Sequence, residues 1–458
     1  MKTKYEIDMS EGSLLPKLIR FAVPVMLSGI LQLAFNAADL VVVGRFAGEN
    51  SLAAVGSNTA LISLIINVLL GLVTGTSVIV ARYYGAKDED NLRCTVSTSM
   101  LIALVGGIIF ALIGIFLAEP LLTLMGTPEE VLPLAAVYLR IYFAGLPVLE
   151  LYNFSSAVLR AVGDTKRPLY YLSLAGVINV GLNLLFVIVF KMDVAGVGLA
   201  TVMSQCVSCF LTVLSLCRSK GIYRLDVKRL KFSALAFKQI IRIGLPAGIQ
   251  GSMFSVSNVI IQSSINSFGA MVMAGNSAAV SVESFVFTSL DAINQASIAS
   301  VSQNMGARRY DRTKKAVLYC LLMELIVGGV LGWTLILFRY PLVGIYTSEP
   351  EALAAAGVRI TTIGIIYFTN GMQHMMGGVM RSHGYSILPT IVTFLGVCGF
   401  RIFWIFTIFA ANRTTQVLFM SYPISWVITL AAHSIFYLAL RKRAWARNEE
   451  RLAGTGGQ

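Results

Sequence analysis

The sequence predicts an all-α polytopic membrane protein, with twelve transmembrane helices in two pseudo-symmetric six-helix lobes. Three observations predict it. The 458 residues are 56% hydrophobic and only 13% charged, a balance that soluble domains do not have. The apolar runs reach the roughly 20 residues a helix needs to cross a bilayer, rather than the ten-residue alternations of a β-barrel. The second half of the chain also repeats the first, in the same order, about 220 residues later.

Spans are expected at about 16–43, 52–81, 93–118, 131–157, 168–190, 194–217, 236–266, 272–304, 314–338, 352–379, 386–410 and 415–440. The polar stretch 1–17 leads directly into the first of them, so no cleaved leader is expected. That first span carries a single acid, Asp39. An ionised carboxylate at mid-membrane costs about 2.5–3.5 kcal/mol on insertion scales, and an acid kept there is a functional hypothesis by default. Ser28, Gln32, Asn36 and Asp39 follow at spacings of four, four and three, which is one helix face. Such a stripe should face protein or a wet cavity. The plain alternative is that it glues helices together.

Between spans the loops are short. The longest, 218–242, is basic and is expected to include a short amphipathic helix on the membrane surface. Lysines and arginines set the orientation. One side collects Lys2, Lys4, Lys17 and Arg20, then Arg82, Lys87 and Arg93, then Arg160, Lys166 and Arg167, the whole 218–242 loop, Arg308–Lys315 and the basic tail. The other side has only Arg45, Lys191, Arg339 and Arg413. Both termini are therefore expected in the cytoplasm, and the asymmetry accounts for the net charge of +13 without a nucleic-acid partner.

The repeat pairs RFAVP at Arg20–Pro24 with RIGLP at Arg242–Pro246, Asn36 with Asn258, and Gly85-Ala86 with Gly306-Ala307. It also pairs Leu159–Pro168 with Met380–Pro389. The expected organisation is an N-terminal lobe 1–217, a cytoplasmic linker 218–241, a C-terminal lobe 242–440 and a cytoplasmic tail 441–458. An even number of spans per half makes the lobes parallel repeats, with the substrate path expected between them.

No phosphate-binding loop, nucleophile motif or metal-spaced histidine pair occurs. The C-x-x-C of Cys206 and Cys209 lies inside a span with no histidine near it and reads as small buried residues. No cofactor and no enzyme activity are expected. What remains is an ion-coupled secondary transporter. Asn179 and Asn183 share a face of the fifth span, and Thr201, Ser204, Gln205 and Ser208 line the sixth. Amide and hydroxyl oxygens near one carboxylate suit Na⁺ or a protonatable acid, and ordinary interhelical hydrogen bonding is the plain alternative. At an offset of 222, Asp39 falls on Ile261, Asn183 on Ile405 and Asn179 on Arg401, so the second lobe lacks this set. It has Glu283 instead, on one face with Asn276. Glu283 is expected to meet a cationic substrate or else to pair with Arg401. Asp291 and Glu324 read as structural, and Arg140 and Arg359 as snorkelling side chains.

RFAVPVMLSGILQLAFNAADLVVVGRFAG, followed by LAAVG and the G-A-K/R loop, resembles the multidrug and toxic compound extrusion (MATE) family, in particular its bacterial DinF-like branch. The resemblance covers nearly the whole chain. It implies a central cavity and export of cationic amphipathic compounds in exchange for H⁺ or Na⁺ across the inner membrane, by a monomer. The family's cation site would fall on Asp39, Asn179, Asn183 and Thr201, and would be the place for any Na⁺. Gln32, Asn36, Asn258, Asn276 and Glu283 are the candidate cavity residues. Where that site commonly has a second acid this chain has Asn183, so one proton neutralises it, which favours H⁺ over Na⁺. A lipid-linked oligosaccharide flippase of the same superfamily is the alternative reading.

Overall fold

The computed structural model describes residues 5–46 and 49–454. Lys2, Lys4 and the last four residues of the expected tail lie outside the described residues. Sixteen α-helices follow one another among the described residues, with no strand. They are α1 (Leu14–Phe46), α2 (Glu49–Ala86), α3 (Glu89–Leu124), α4 (Leu132–Ala144), α5 (Leu146–Ala161), α6 (Lys166–Asn183), α7 (Asp193–Arg218) and α8 (Ala234–Asn266). Then come α9 (Ala270–Gly306), α10 (Tyr310–Leu337), the short α11 (Arg339–Val343), α12 (Pro350–Gly364), α13 (Phe368–Ser382), α14 (Ile387–Thr393), α15 (Phe400–Trp404) and α16 (Thr415–Gly454).

Nine helical stretches among the described residues are long and apolar enough to cross a bilayer, and two bent pairs bring the number to eleven. The one expected span outside this number is the seventh, α8, which is 33 residues long but carries Gln250, Ser252, Ser255, Ser257, Asn258 and Gln262 through its middle. Two expected spans are broken. α4 and α5 meet at 46°, and α12 and α13 at 53°. Pro147, at the start of α5, has no N–H to continue the helix across Gly145. Helix α3 fits into this bend: a Cβ on Gly107 would lie 2.6 Å from Pro147 Cα, and one on Gly114 would lie 2.2 Å from the Phe143 ring. Only glycine permits that approach.

The chain forms two compact units, one of Met1–Asp8 with Leu27–Gly248, the other of Met9–Met26 with Ile249–Gln458. Within the first, α2 and the start of α8 touch backbone to backbone. A Cβ on Gly71 would sit 2.2 Å from Gly248 N, and one on Gly75 2.5 Å from Ile240 O. These are two small-xxx-small pairs, Gly71/Gly75 and Gly244/Gly248, the spacing that lets membrane helices pack by direct van der Waals contact.

Also in the first unit, Glu6 accepts hydrogen bonds from Tyr223 Oη at 2.9 Å and Tyr84 Oη at 3.2 Å. The amphipathic helix expected in 218–242 is not there. Between the end of α7 and the start of α8 at Ala234 only a three-residue 3₁₀ turn forms, Val227–Arg229, capped by Asp226. The Asp226 side chain accepts the backbone N–H of Lys228, offering the backbone an alternative to a helix, and Ser233 caps the start of α8 by accepting the N–H of Ala236.

In the second unit, α16 runs unbroken to Gly454. The expected tail continues that helix and is packed down: Trp445 stacks on Tyr310 at 5.2 Å, and Asn448 donates to Met305 O at 2.9 Å.

Candidate functional site

Asp39 lies on α1, one turn beyond Phe35. The Phe35 ring occupies the space where a side chain on Gly176 would be, with ring carbons 1.8 Å from an ideal Cβ there. Gly176 therefore lets α1 lie against α6. One turn on, Asn179 and Asn183 stack along α6 and meet the carboxylate. Asn183 Nδ2 donates to Asp39 Oδ1 and also lies 3.3 Å from Asn179 Oδ1. Asn179 Nδ2 points to Thr201 Oγ1 at 3.5 Å, and Thr201 donates to Val197 O at 3.0 Å. The four residues of the expected cation site are thus one chain of contacts. Asn179 and Asn183 are buried, at 5% and 1% exposed. Directly after Asn183 the helix widens into a π-helical stretch, Leu184–Val189, a form concentrated at functional sites.

Asn183 Oδ1 is buried and has no hydrogen-bond partner. An amide oxygen left without a donor is costly, and beside a carboxylate it is an open position for a cation or a protonated acid. The donor set is all oxygen: Asp39, Asn179, Asn183 and Thr201. That suits a hard monovalent cation or a proton, and with one carboxylate it holds a single negative charge.

The other candidates divide. Gln32 and Asn36 on α1 and Asn258 on α8 are exposed. Asn276 and Glu283 on α9 are buried together. Glu283 is not a free carboxylate. Arg359 Nε donates to its Oε1 at 2.9 Å and Nη2 to its Oε2 at 2.8 Å, while Nη1 donates to Asn276 Oδ1 at 2.9 Å. Two expectations are corrected here. The ion pair exists, but its partner is Arg359, because α12 packs along α9 and brings the two into register. Arg359 does not snorkel: it is 5% exposed, with Phe419 and Tyr422 rings 5.3 and 5.0 Å from its guanidinium. Arg140 pairs with Glu119 at 3.0 Å in an exposed position.

Three further acids lie in the spans; the sequence reading gave Asp291 and Glu324 a structural role and passed over Glu150. Glu150 on α5 is fully buried, with Asn153 donating to Oε1 at 3.3 Å and Oε2 unpartnered. It carries the sequence signal of Asp39, a lone acid in an apolar span. Glu324 on α10 is fully buried with both oxygens unpartnered, against Gly371 of α13. Asp291 lies 3.6 Å from His374 and accepts from Asn294 and Gln295. Among the described residues no cluster of three or more His, Cys, Asp and Glu side chains could hold a metal ion.

Two segments, 24–185 and 246–407, each match the MatE family model. The chain belongs to the MatE family. Its relatives agree along nearly the whole length. A probable multidrug resistance protein of Bacillus subtilis, YoeA, is 28% identical over 418 residues, covering 90% of each chain. Another from that organism, YpnP, is 28% identical over 399 residues, covering 87% of this chain and 88% of its own. The solved structure of a MOP superfamily transporter from Pyrococcus furiosus superposes with a TM-score of 0.89 at 21% identity, over 97% of this chain and 99% of that one. The fold is the twelve-helix MatE fold, and the protein is a multi-pass membrane protein of a transporter family. The duplication inferred from sequence is the one the two MatE segments mark.

Proposed function

We propose that this MatE protein is an H⁺-coupled antiporter that expels amphipathic small molecules across the inner membrane, with Asp39 as the coupling carboxylate. The observation that carries the reading is the contact chain Asp39–Asn183–Asn179–Thr201, with the orphaned Asn183 Oδ1 at its centre. A single acid among neutral oxygens changes from charged to neutral by taking up one proton. Na⁺ would need all four oxygens as ligands with only one of them charged, whereas a proton needs the carboxylate alone, so H⁺ is favoured. The multidrug resistance names of the two Bacillus relatives support an efflux role. Gln32, Asn36 and Asn258 remain the polar groups offered to substrate. Dye efflux from proteoliposomes under ΔpH alone and under a Na⁺ gradient alone tests the coupling. Efflux is expected with ΔpH and absent with Na⁺, and the reverse result overturns the H⁺ reading.

Both termini and the 218–242 loop are assigned to the cytoplasm, from the lysine and arginine asymmetry. A single cysteine at Lys228, in a cysteine-free background, should resist an impermeant thiol reagent in intact cells and react after permeabilisation. Labelling in intact cells would invert the topology.

A further inference from the structure

The two MatE segments fix the register of the duplication. Their starts differ by 246 − 24 = 222 and their ends by 407 − 185 = 222. In that register Asn179 corresponds to Arg401, since 179 + 222 = 401, and Asp39 corresponds to Ile261. The position that completes a cation site in the first unit holds a permanent cation in the second.

Arg401 lies on α15 between two π-helical stretches, Phe394–Gly399 and Ile405–Phe409. The second of these matches Leu184–Val189 of the first unit. The side chain is 3% exposed. Its Nε donates to Ser425 Oγ at 3.1 Å, and its guanidinium lies 4.1 Å from the Tyr422 ring centroid. Among the described residues it has no ion pair, and Nη1 and Nη2 reach no protein acceptor. The nearby carboxylate is already used. Glu283 gives both oxygens to Arg359, which lies over the same Tyr422 ring. Arg401 therefore has no counter-charge of its own and leaves one uncompensated positive charge inside a membrane-spanning bundle. Arginine does not shed its proton there, and a buried intramembrane charge marks the path of a ligand.

We propose that Arg401, with Ser425 and Tyr422, holds the anionic group of an amphipathic substrate: a carboxylate, sulfonate or phosphate monoester. The free fork of Nη1 and Nη2 matches the two oxygens of such a group. The Tyr422 ring offers an apolar face to the body that carries it. The inference goes beyond proton coupling and bears on substrate charge. The two halves of the duplication then hold opposite charges at one position, a cation site in the first unit and an anion site in the second. A small free anion such as chloride has the same chemistry and is the other source to distinguish.

Equilibrium binding separates these cases and does not depend on coupling. The full-length protein in nanodiscs of phosphatidylcholine is titrated with rhodamine B, which bears a carboxylate, and with its ethyl ester, which does not. Fluorescence anisotropy is read in gluconate and in chloride at equal ionic strength. Arg401→Gln is expected to weaken rhodamine B at least tenfold and the ester less than twofold, with Arg401→Lys between wild type and Gln. Chloride is expected to compete with rhodamine B in wild type only. If chloride stabilises wild type against heating through Arg401 while the dyes bind alike, the anion site stands and its ligand is the free anion. Equal loss of both dyes in Arg401→Gln, or no loss together with no chloride effect, overturns the proposal. Should Arg401→Gln fail to fold, the wild type decides: no preference for the carboxylate dye and no chloride competition overturn it as well.

Discussion

Asp39→Asn is expected to abolish ion-driven efflux while leaving the protein folded. The amide has nearly the shape of the acid, and its Oδ1 still accepts from Asn183 Nδ2, so the contact chain to Asn179 and Thr201 survives. What is lost is the carboxylate that can exchange a proton. Drug and proton must compete for one element, and with Asp39 neutral that competition ends. Proton release on substrate addition to the detergent-solubilised protein measures it directly. Wild type should acidify a weakly buffered solution and Asp39→Asn should not, while binding substrate with similar thermal stability. A mutant that releases protons as wild type does, and still pumps, would move coupling elsewhere. Glu150 would then be the next candidate, being a buried acid of the same unit with one oxygen unpartnered.

Helix periodicity marked Asp39 and the Asn179/Asn183 face, and the family resemblance joined them with Thr201; their contacts follow local rules. Asn179 and Asn183 are one turn apart on a single helix, so their shared face needs no tertiary information. Thr201 comes from the next helix, and short loops keep consecutive spans adjacent. The second unit defeats the same reasoning. Glu283 and Arg359 are 76 residues apart, and their pairing depends on how α9 and α12 slide along each other. The sequence reading named Arg401 as the candidate partner and left Arg359 to snorkel, whereas the pair forms with Arg359. Glu150 was missed for another reason. It has the lone-acid signal, but Leu146 and Pro147 stand one turn before it, so no polar stripe announced it. The bends at Gly145 and near Gly364 were half legible. Pro147 marks the first, while the second has no proline within the span and rests on α12–α13 packing.

Glu283→Gln, in turn, is expected to destabilise the protein strongly, rather than only to change its substrate range. Removing one partner of a buried ion pair typically costs about 3–5 kcal/mol, because the other charge is left uncompensated. Here the cost should reach the high end. Arg359 would keep one good acceptor, Asn276 Oδ1 at 2.9 Å, and the neutral amide would leave two guanidiniums around Tyr422 with no counter-charge. A lower yield of folded protein and a lower melting temperature in detergent are the readouts. Replacing both members, as in Glu283→Leu with Arg359→Met, removes the charges together and should recover much of the loss, since buried pairs often exchange for apolar residues at little cost. The alternative remains sharp. If Glu283→Gln folds like wild type and loses only the export of cationic dyes, the carboxylate is available to substrate in the working protein, and Arg359 is its resting partner rather than its permanent one. The double-mutant cycle then decides the size of the pair: a coupling energy near zero would mean that the bidentate contact contributes nothing to holding α9 against α12.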